Sequence, residues 1–195
     1  MKKAFLLVVI LFVSVISTAC INNFAVQELN NKAKDYLDKG DFENAISRLK
    51  SSIDLDSTIF ETHYNLGIAY TQAEKYPEAV ETFENAIKLR PSFADVYYSL
   101  AVAQENYAKG IIDGSLKAKE EKLEEKVQDV SNETPKDKIL SPEEKTQVVK
   151  LINDSVSSYS TYLEKGTDIQ DKQDVEEKIE YLKKESLKYS TEPQS

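Results

Sequence analysis

Few residues in this sequence could perform chemistry. There is one cysteine, Cys20, and one histidine, His63. A His/Cys zinc site or a Cys–His nucleophilic pair would use up the sole copy of each, and no internal disulfide can form. Carboxylates are abundant, as in Glu120–Glu121 and Glu176–Glu177, but neighbours in sequence point to different faces of a helix and do not make a general acid–base pair. The sequence holds no Gly-rich phosphate loop and no Ser–His arrangement of a known kind. Asn132-Glu133-Thr134 and Asn153-Asp154-Ser155 match the glycosylation acceptor pattern. Catalysis would fall to carboxylates and tyrosines alone, so the expectation is a non-enzyme with no cofactor and no metal. Asn, Gln and Tyr side chains remain, and these suit recognition: amides pair with a peptide backbone, and Tyr rings give rigid amphipathic contacts.

Cys20 has an informative context. Lys2 and Lys3 precede thirteen uncharged residues, Ala4 to Ile16, and Ser17, Thr18 and Ala19 lead into the cysteine. The run is shorter than the ~20 apolar residues that span a bilayer, and it ends in small residues as a cleaved signal does. It resembles the lipobox of bacterial lipoproteins, with Ser17 standing where an aliphatic residue is usual. That resemblance implies a signal peptide over 1–19, lipid (palmitate-type acyl chains) on Cys20 and a linker over 20–25. It also implies a place in the bacterial cell envelope, on the periplasmic face of the outer membrane or the cell surface. Ile21 after the cysteine permits outer-membrane sorting by the same analogy. An ordinary secretory signal with an incidental cysteine, or an uncleaved anchor, would export the chain as well. Each acyl methylene contributes ~0.8 kcal/mol of membrane binding, and two chains anchor stably. Loss of Lys2 and Lys3 takes the formal charge from −9 to −11. Such an acidic surface does not seek anionic lipid and lacks the basic patch of a nucleic-acid binder. The expected partners are therefore a membrane, reached through the N-terminal lipid, and a protein or peptide, with no nucleic acid. The oligomeric state is left open.

The elements that carry the amides and tyrosines follow from composition and period. The chain has 195 residues, 41% hydrophobic, with five Gly, five Pro and no Trp, which leaves too little turn chemistry for a many-stranded sandwich or barrel. Residues 34 apart correspond: Tyr36 with Tyr70, Phe42 with Tyr76, Ala45 with Ala79, Leu49 with Phe83, Ile53 with Ile87 and Leu66 with Leu100. Ala33, Gly67 and Ala101 form a three-member series. Small residues at these places let two helices approach closely, and Tyr36, Tyr70 and Phe83 fill the gaps between them. Thr58 and Glu61 have capping-box spacing, and Pro77 fits the first turn of a helix.

This pattern resembles the tetratricopeptide repeat (TPR), most closely over 60–93 through Leu66-Gly67-Ile68-Ala69-Tyr70, Tyr76, Ala79, Phe83, Ala86 and Pro91. His63 takes a place where the family often has Trp, and is expected to pack. The resemblance implies an all-α, TPR-type helix-turn-helix α-solenoid of about three repeats plus a C-terminal capping helix. Repeats one and two and the first helix of a third lie in 26–109. That third first-helix covers 94–107. A charged insertion of about thirty residues (110–140) follows, with a thin apolar stripe at Leu116, Leu123, Val127 and Val130. Ser141-Pro142-Glu143-Glu144 opens the next helix with an N-cap, a helical Pro and a Glu at the third position. Residues 141–189 then supply the second helix of repeat three, with Ser155 at its small position, and a capping helix from Asp171 to Tyr189. Residues 190–195 form a tail.

TPR stacks bind partners on the concave face of their first helices. Position by position, the resemblance implies a peptide-binding groove of Asn30, Asn31, Lys34, Tyr64, Asn65, Ile68, Tyr98 and Val102. Gln27, Glu61, Gln72, Asp95, Ser99 and Glu105 extend it. Asn65 fits a clamp for a C-terminal carboxylate, but Asp95 and Ser99 stand where that clamp needs cations, so a basic or neutral partner suits the face better. The implied function is a membrane-anchored, non-catalytic scaffold or adaptor. The alternative is a structural subunit of envelope machinery for outer-membrane protein insertion, pili or the cell wall.

Overall fold

A computed structural model describes residues 23–116 and 139–190. The expected signal peptide, Cys20, most of the expected insertion and the end of the expected tail lie outside the described residues. Among the described residues there are seven α-helices and no strand: α1 over 23–38, α2 Phe42–Leu55, α3 Phe60–Gln72, α4 Tyr76–Leu89, α5 Ala94–Asp113, α6 Pro142–Lys165 and α7 Lys172–Ser190. None of them is long and apolar enough to cross a membrane. They fall into two compact units that divide between Glu74 and Lys75.

The first unit holds α1 to α3. Helix α1 is already formed at residue 23, inside the expected linker. The turn after it needs a left-handed residue, which Gly40 supplies at φ 72°, while Asp41 N–H donates to the Tyr36 carbonyl at 2.9 Å. Asp41 then caps α2: its side chain accepts from Asn44 N–H at 3.3 Å and from the Asn44 amide at 2.8 Å. Ala33, Ala45, Ile46, Leu49, Leu66 and Ala69 form the core, and Tyr36, Leu37, Ile53 and Tyr70 close over it. The three alanines are essentially inaccessible, as residues chosen for close approach must be.

The start of α3 corrects an expectation. Its N-cap is Ile59, with no side-chain cap, so Thr58 and Glu61 form no capping box. Thr58 instead gives both its N–H (2.9 Å) and its hydroxyl (2.6 Å) to Asp56 Oδ1. The Asp56 turn claims the threonine one residue before the cap position.

The second unit holds α4 to α7. Pro77 occupies the first turn of α4. Helix α5 passes the expected end near 107 and stops at Gly114, left-handed at φ 77°. Gly110, the first residue of the expected insertion, therefore belongs to α5. It is buried inside α5, where an added Cβ would lie 2.8 Å from Leu116 Cγ, so it serves close packing. Ser141 opens α6 with a complete capping box: Glu144 N–H donates to Ser141 Oγ at 3.2 Å, and Ser141 N–H to Glu144 Oε2 at 2.9 Å. One core runs through α5, α6 and α7, built from Ala101, Ala108, Ile111, Val148, Leu151, Ile152, Tyr159, Val175, Ile179 and Leu182.

A buried polar ladder sets the register of α5 against α6. Ser155 Oγ donates to the Ala101 carbonyl, and Ser158 Oγ to Gln104 Oε1, both at 2.9 Å. Ser155 and Ala101 are 54 residues apart in sequence, whereas Gly67 and Ala79 at the corresponding repeat positions are 12 apart. Both α5 and α6 are long: α6 has 24 residues against 14 in α4. Helix α5 has 20 residues against 13 in α3, an excess of about 10 Å at ~1.5 Å per residue. Ile111, Leu140, Val148 and Leu151 bury the overrun, and the Gln147 amide donates to Tyr107 OH at 2.9 Å.

Candidate partner-binding faces

In the first unit the candidate residues lie on α1 and α3. Asn31 and Lys34 are exposed and one turn apart on α1. Asn30 is not a free groove residue. Its amide donates to the hydroxyl of buried Thr62 at 2.9 Å, and the Thr62 hydroxyl lies 3.3 Å from Asn30 Oδ1, which joins α1 to α3. On α3, Tyr64, Asn65 and Ile68 are half-buried, and the Tyr64 ring stacks on Phe60 with centroids 5.8 Å apart. His63 is buried, with Nε2 2.9 Å from the Ser57 carbonyl; that ring nitrogen carries the proton and donates. The ring packs and ties down the turn before α3.

In the second unit, Tyr98 and Val102 lie one turn apart on α5. Val102 is half-buried against the core. Tyr98 is 37% exposed although two rings from α6 hold it edge-on: Tyr159 at 5.5 Å and Tyr162 at 5.2 Å between centroids. Tyr159 OH donates to Glu105 Oε2 at 3.2 Å, and Tyr162 OH to Asp171 Oδ1 at 3.3 Å. Lys178 of α7 reaches Glu105 Oε1 at 3.0 Å. Glu105 is thus the hub of a polar cluster rather than an idle groove residue. Burial pushes the Tyr159 hydroxyl pKa upward, and the neighbouring Glu105 and Tyr98 add to the rise. Burial followed by the Asp171 charge does the same to Tyr162. Both hydroxyls stay protonated donors at neutral pH.

Sequence reasoning named Tyr98 but missed the partners that fix it. Tyr159 and Tyr162 show in the sequence only as large residues on one side of a helix, and nothing local ties Lys178 to Glu105, 73 residues away. Among the described residues no group of His, Cys, Asp and Glu could hold a metal ion. A shallow depression lined by Gln173, Glu176, Glu177, Glu180, Tyr181 and Lys184 has walls from α7 alone, and amounts to gaps between long side chains.

The TPR repeat family model matches residues 33–73 and 69–106. Among solved structures, the first TPR domain of human RPAP3 is similar at TM-score 0.57 and 14% identity, over 84% of this chain and 95% of that one. The second TPR domain of human RPAP3, in complex with an HSP70 peptide, gives 0.56 and 15%, over 82% and 98%. The Sgt2 TPR domain from Aspergillus fumigatus gives 0.51 and 10%, over 87% and 86%. No relative was found among curated proteins. Similarity at these identities establishes the fold: an all-α, TPR-type helix-turn-helix α-solenoid, with repeats recognisable from residue 33 to 106.

Proposed function

We propose that this chain is a non-catalytic protein-interaction module whose first-helix faces bind peptide segments of a partner protein. The observation that carries this reading is Tyr98, a ring locked by Tyr159 and Tyr162 yet 37% exposed. A pre-ordered aromatic loses little side-chain entropy on binding, which is why such rings anchor interfaces. The peptide complexes of similar TPR domains support the same class of partner: human RPAP3 with an HSP70 peptide, and Spaghetti (RPAP3) with an HSP90 peptide. Val102 accompanies Tyr98 in the second unit, and Asn31, Lys34, Tyr64, Asn65 and Ile68 are the candidate contacts of the first unit. The Lys2–Lys3, apolar, Ala19-Cys20 sequence supports the second part of the reading, a lipid anchor on Cys20 that holds the module in a bacterial cell envelope. We also read the α5–α6 pair as a third repeat interrupted by inserted chain.

The overrun of α5 and α6 favours one alternative, a structural subunit of an envelope assembly complex that uses the extended hairpin as a fixed contact. A pull-down from detergent-solubilised membranes separates the two. Partners lost on Tyr64→Ala and Tyr98→Ala mark the adaptor. Stoichiometric partners indifferent to both changes mark the subunit and overturn the adaptor reading.

A further inference from the structure

The face around Tyr98 has a charge pattern that specifies its partner. Asp95, Tyr98, Val102 and Glu105 recur at helical spacing along one side of α5, and Asp171 precedes α7. Asp171 accepts from the Tyr162 hydroxyl at 3.3 Å, which puts it beside the ring pair, and Asp95 is exposed one turn before Tyr98 on α5. Glu105 is reached from the other side through Tyr159. Tyr98 thus has one carboxylate a turn before it on α5 and two more held by the rings that pack against it. The cation on Glu105 is the chain's own Lys178, and that pair stands at the surface, with side chains 42% (Lys178) and 25% (Glu105) exposed. A solvent-exposed ion pair holds its partners weakly and can exchange.

Building on the reading of α5 as a partner-binding face, we propose that this face takes an extended segment bearing lysine or arginine, whose cation replaces Lys178 on Glu105 while its stem lies on Tyr98. The geometry suits each part of such a side chain. A carboxylate already held by Tyr159 OH is pre-oriented for a charge-assisted bond, and an exposed tyrosine ring attracts a cation and covers methylenes. An acidic segment would meet Asp95, Glu105 and Asp171 and be repelled. Lys178 is then an internal competitor: it satisfies Glu105 in the free protein and lowers the apparent affinity for the segment.

The test is fluorescence anisotropy with the full chain in detergent. The probe is a labelled nine-residue peptide of glycine and alanine carrying three lysines, run beside its three-glutamate counterpart. The lysine peptide is expected to bind more tightly than the glutamate peptide and to weaken as salt rises. Glu105→Gln and Tyr98→Ala should each weaken it. Lys178→Gln should tighten it about fivefold, the factor that corresponds to ~1 kcal/mol for an exposed pair. Lys178→Arg keeps the fold-stabilising pair and, by a bidentate grip on Glu105, should weaken the peptide instead. Opposite signs from the two variants separate competition from loss of structure, and a melting curve on each checks folding. Equal binding of the two peptides, or no binding of the lysine peptide to either the parent chain or Lys178→Gln, overturns the proposal. Loss on Tyr98→Ala with both Lys178 variants indifferent overturns the exchange but leaves the α5 face standing. Lysine-peptide binding that ignores Tyr98→Ala overturns both.

Discussion

Tyr159→Phe tests the geometry of the second unit at one atom. Tyr159 is 3% exposed and its hydroxyl donates to Glu105 at 3.2 Å. Phenylalanine keeps the ring and its contact with Tyr98, and removes a hydrogen bond to a charged acceptor. Such bonds contribute about 1.5–3 kcal/mol, but Glu105 keeps Lys178 and the phenyl ring has no hydroxyl to desolvate, so a net loss of about 1 kcal/mol is expected at pH 8. The balance shifts in alkali. Burial first, then Glu105, Tyr98 and the hydrogen bond to Glu105, raise the Tyr159 pKa above its ordinary 10.0 in the folded state. Above pH 10 the unfolded chain releases this proton while the folded chain holds it, so the unfolded state gains. Stability from this group is complete below pH 10 and is lost as pH rises towards the folded pKa. At pH 11 the loss is about 1.4 kcal/mol, and the variant is spared it. Urea denaturation at pH 8 and pH 11 is the assay. The parent should lose about 1.4 kcal/mol more than Tyr159→Phe between the two, so the variant draws level or passes it. Tyr76, Tyr162 and Tyr189, whose pKa values burial also raises, are present in both chains and cancel. Parallel loss in parent and variant refutes the buried, Glu105-facing hydroxyl.

Three further outcomes can be checked separately. Ser52 Oγ is fully buried without a hydrogen-bond partner, and its 34-residue counterpart is Ala86; Ser52→Ala should raise stability by about 1 kcal/mol in urea, and a loss of that size would mean the hydroxyl is satisfied. Ser141→Ala removes half of the α6 capping box and should cost about 1 kcal/mol, with faster amide exchange confined to the first turn of α6; unchanged exchange there would contradict the cap. Cys20→Ala should abolish labelling by a fatty-acid probe in a bacterial host, and continued labelling of that variant would remove the lipid anchor from the account.

The repeat positions were legible because they obey a short-range rule. Ala33, Ala45, Leu49 and Leu66 recur at one period, and all are buried in the first unit. The Ser141 cap was equally readable, since both its bonds fall within four residues. Local rules failed where a competing group intervened. Asp56 took Thr58 from its box, and α5 runs on through Gly110, where the insertion was expected to begin. The faces were legible only in part. Helical spacing put Tyr98 and Asn30 on first-helix faces, but it could not show that Asn30 is tied to Thr62 or that Tyr159, Tyr162 and Lys178 build the surroundings of Tyr98. Those contacts join residues 32 to 73 apart, and no local pattern encodes them.

The central claim is that exposed first-helix faces recognise a partner. Cross-linking mass spectrometry on the full chain in cells tests it most directly, with a photoreactive residue at Val102 and at Asn65 in turn. The account predicts a partner protein cross-linked at each position, lost from Val102 when Tyr98→Ala is added and from Asn65 when Tyr64→Ala is added. Cross-links that persist undiminished through both alanine changes, or that fall instead on the opposite sides of these helices, would contradict it.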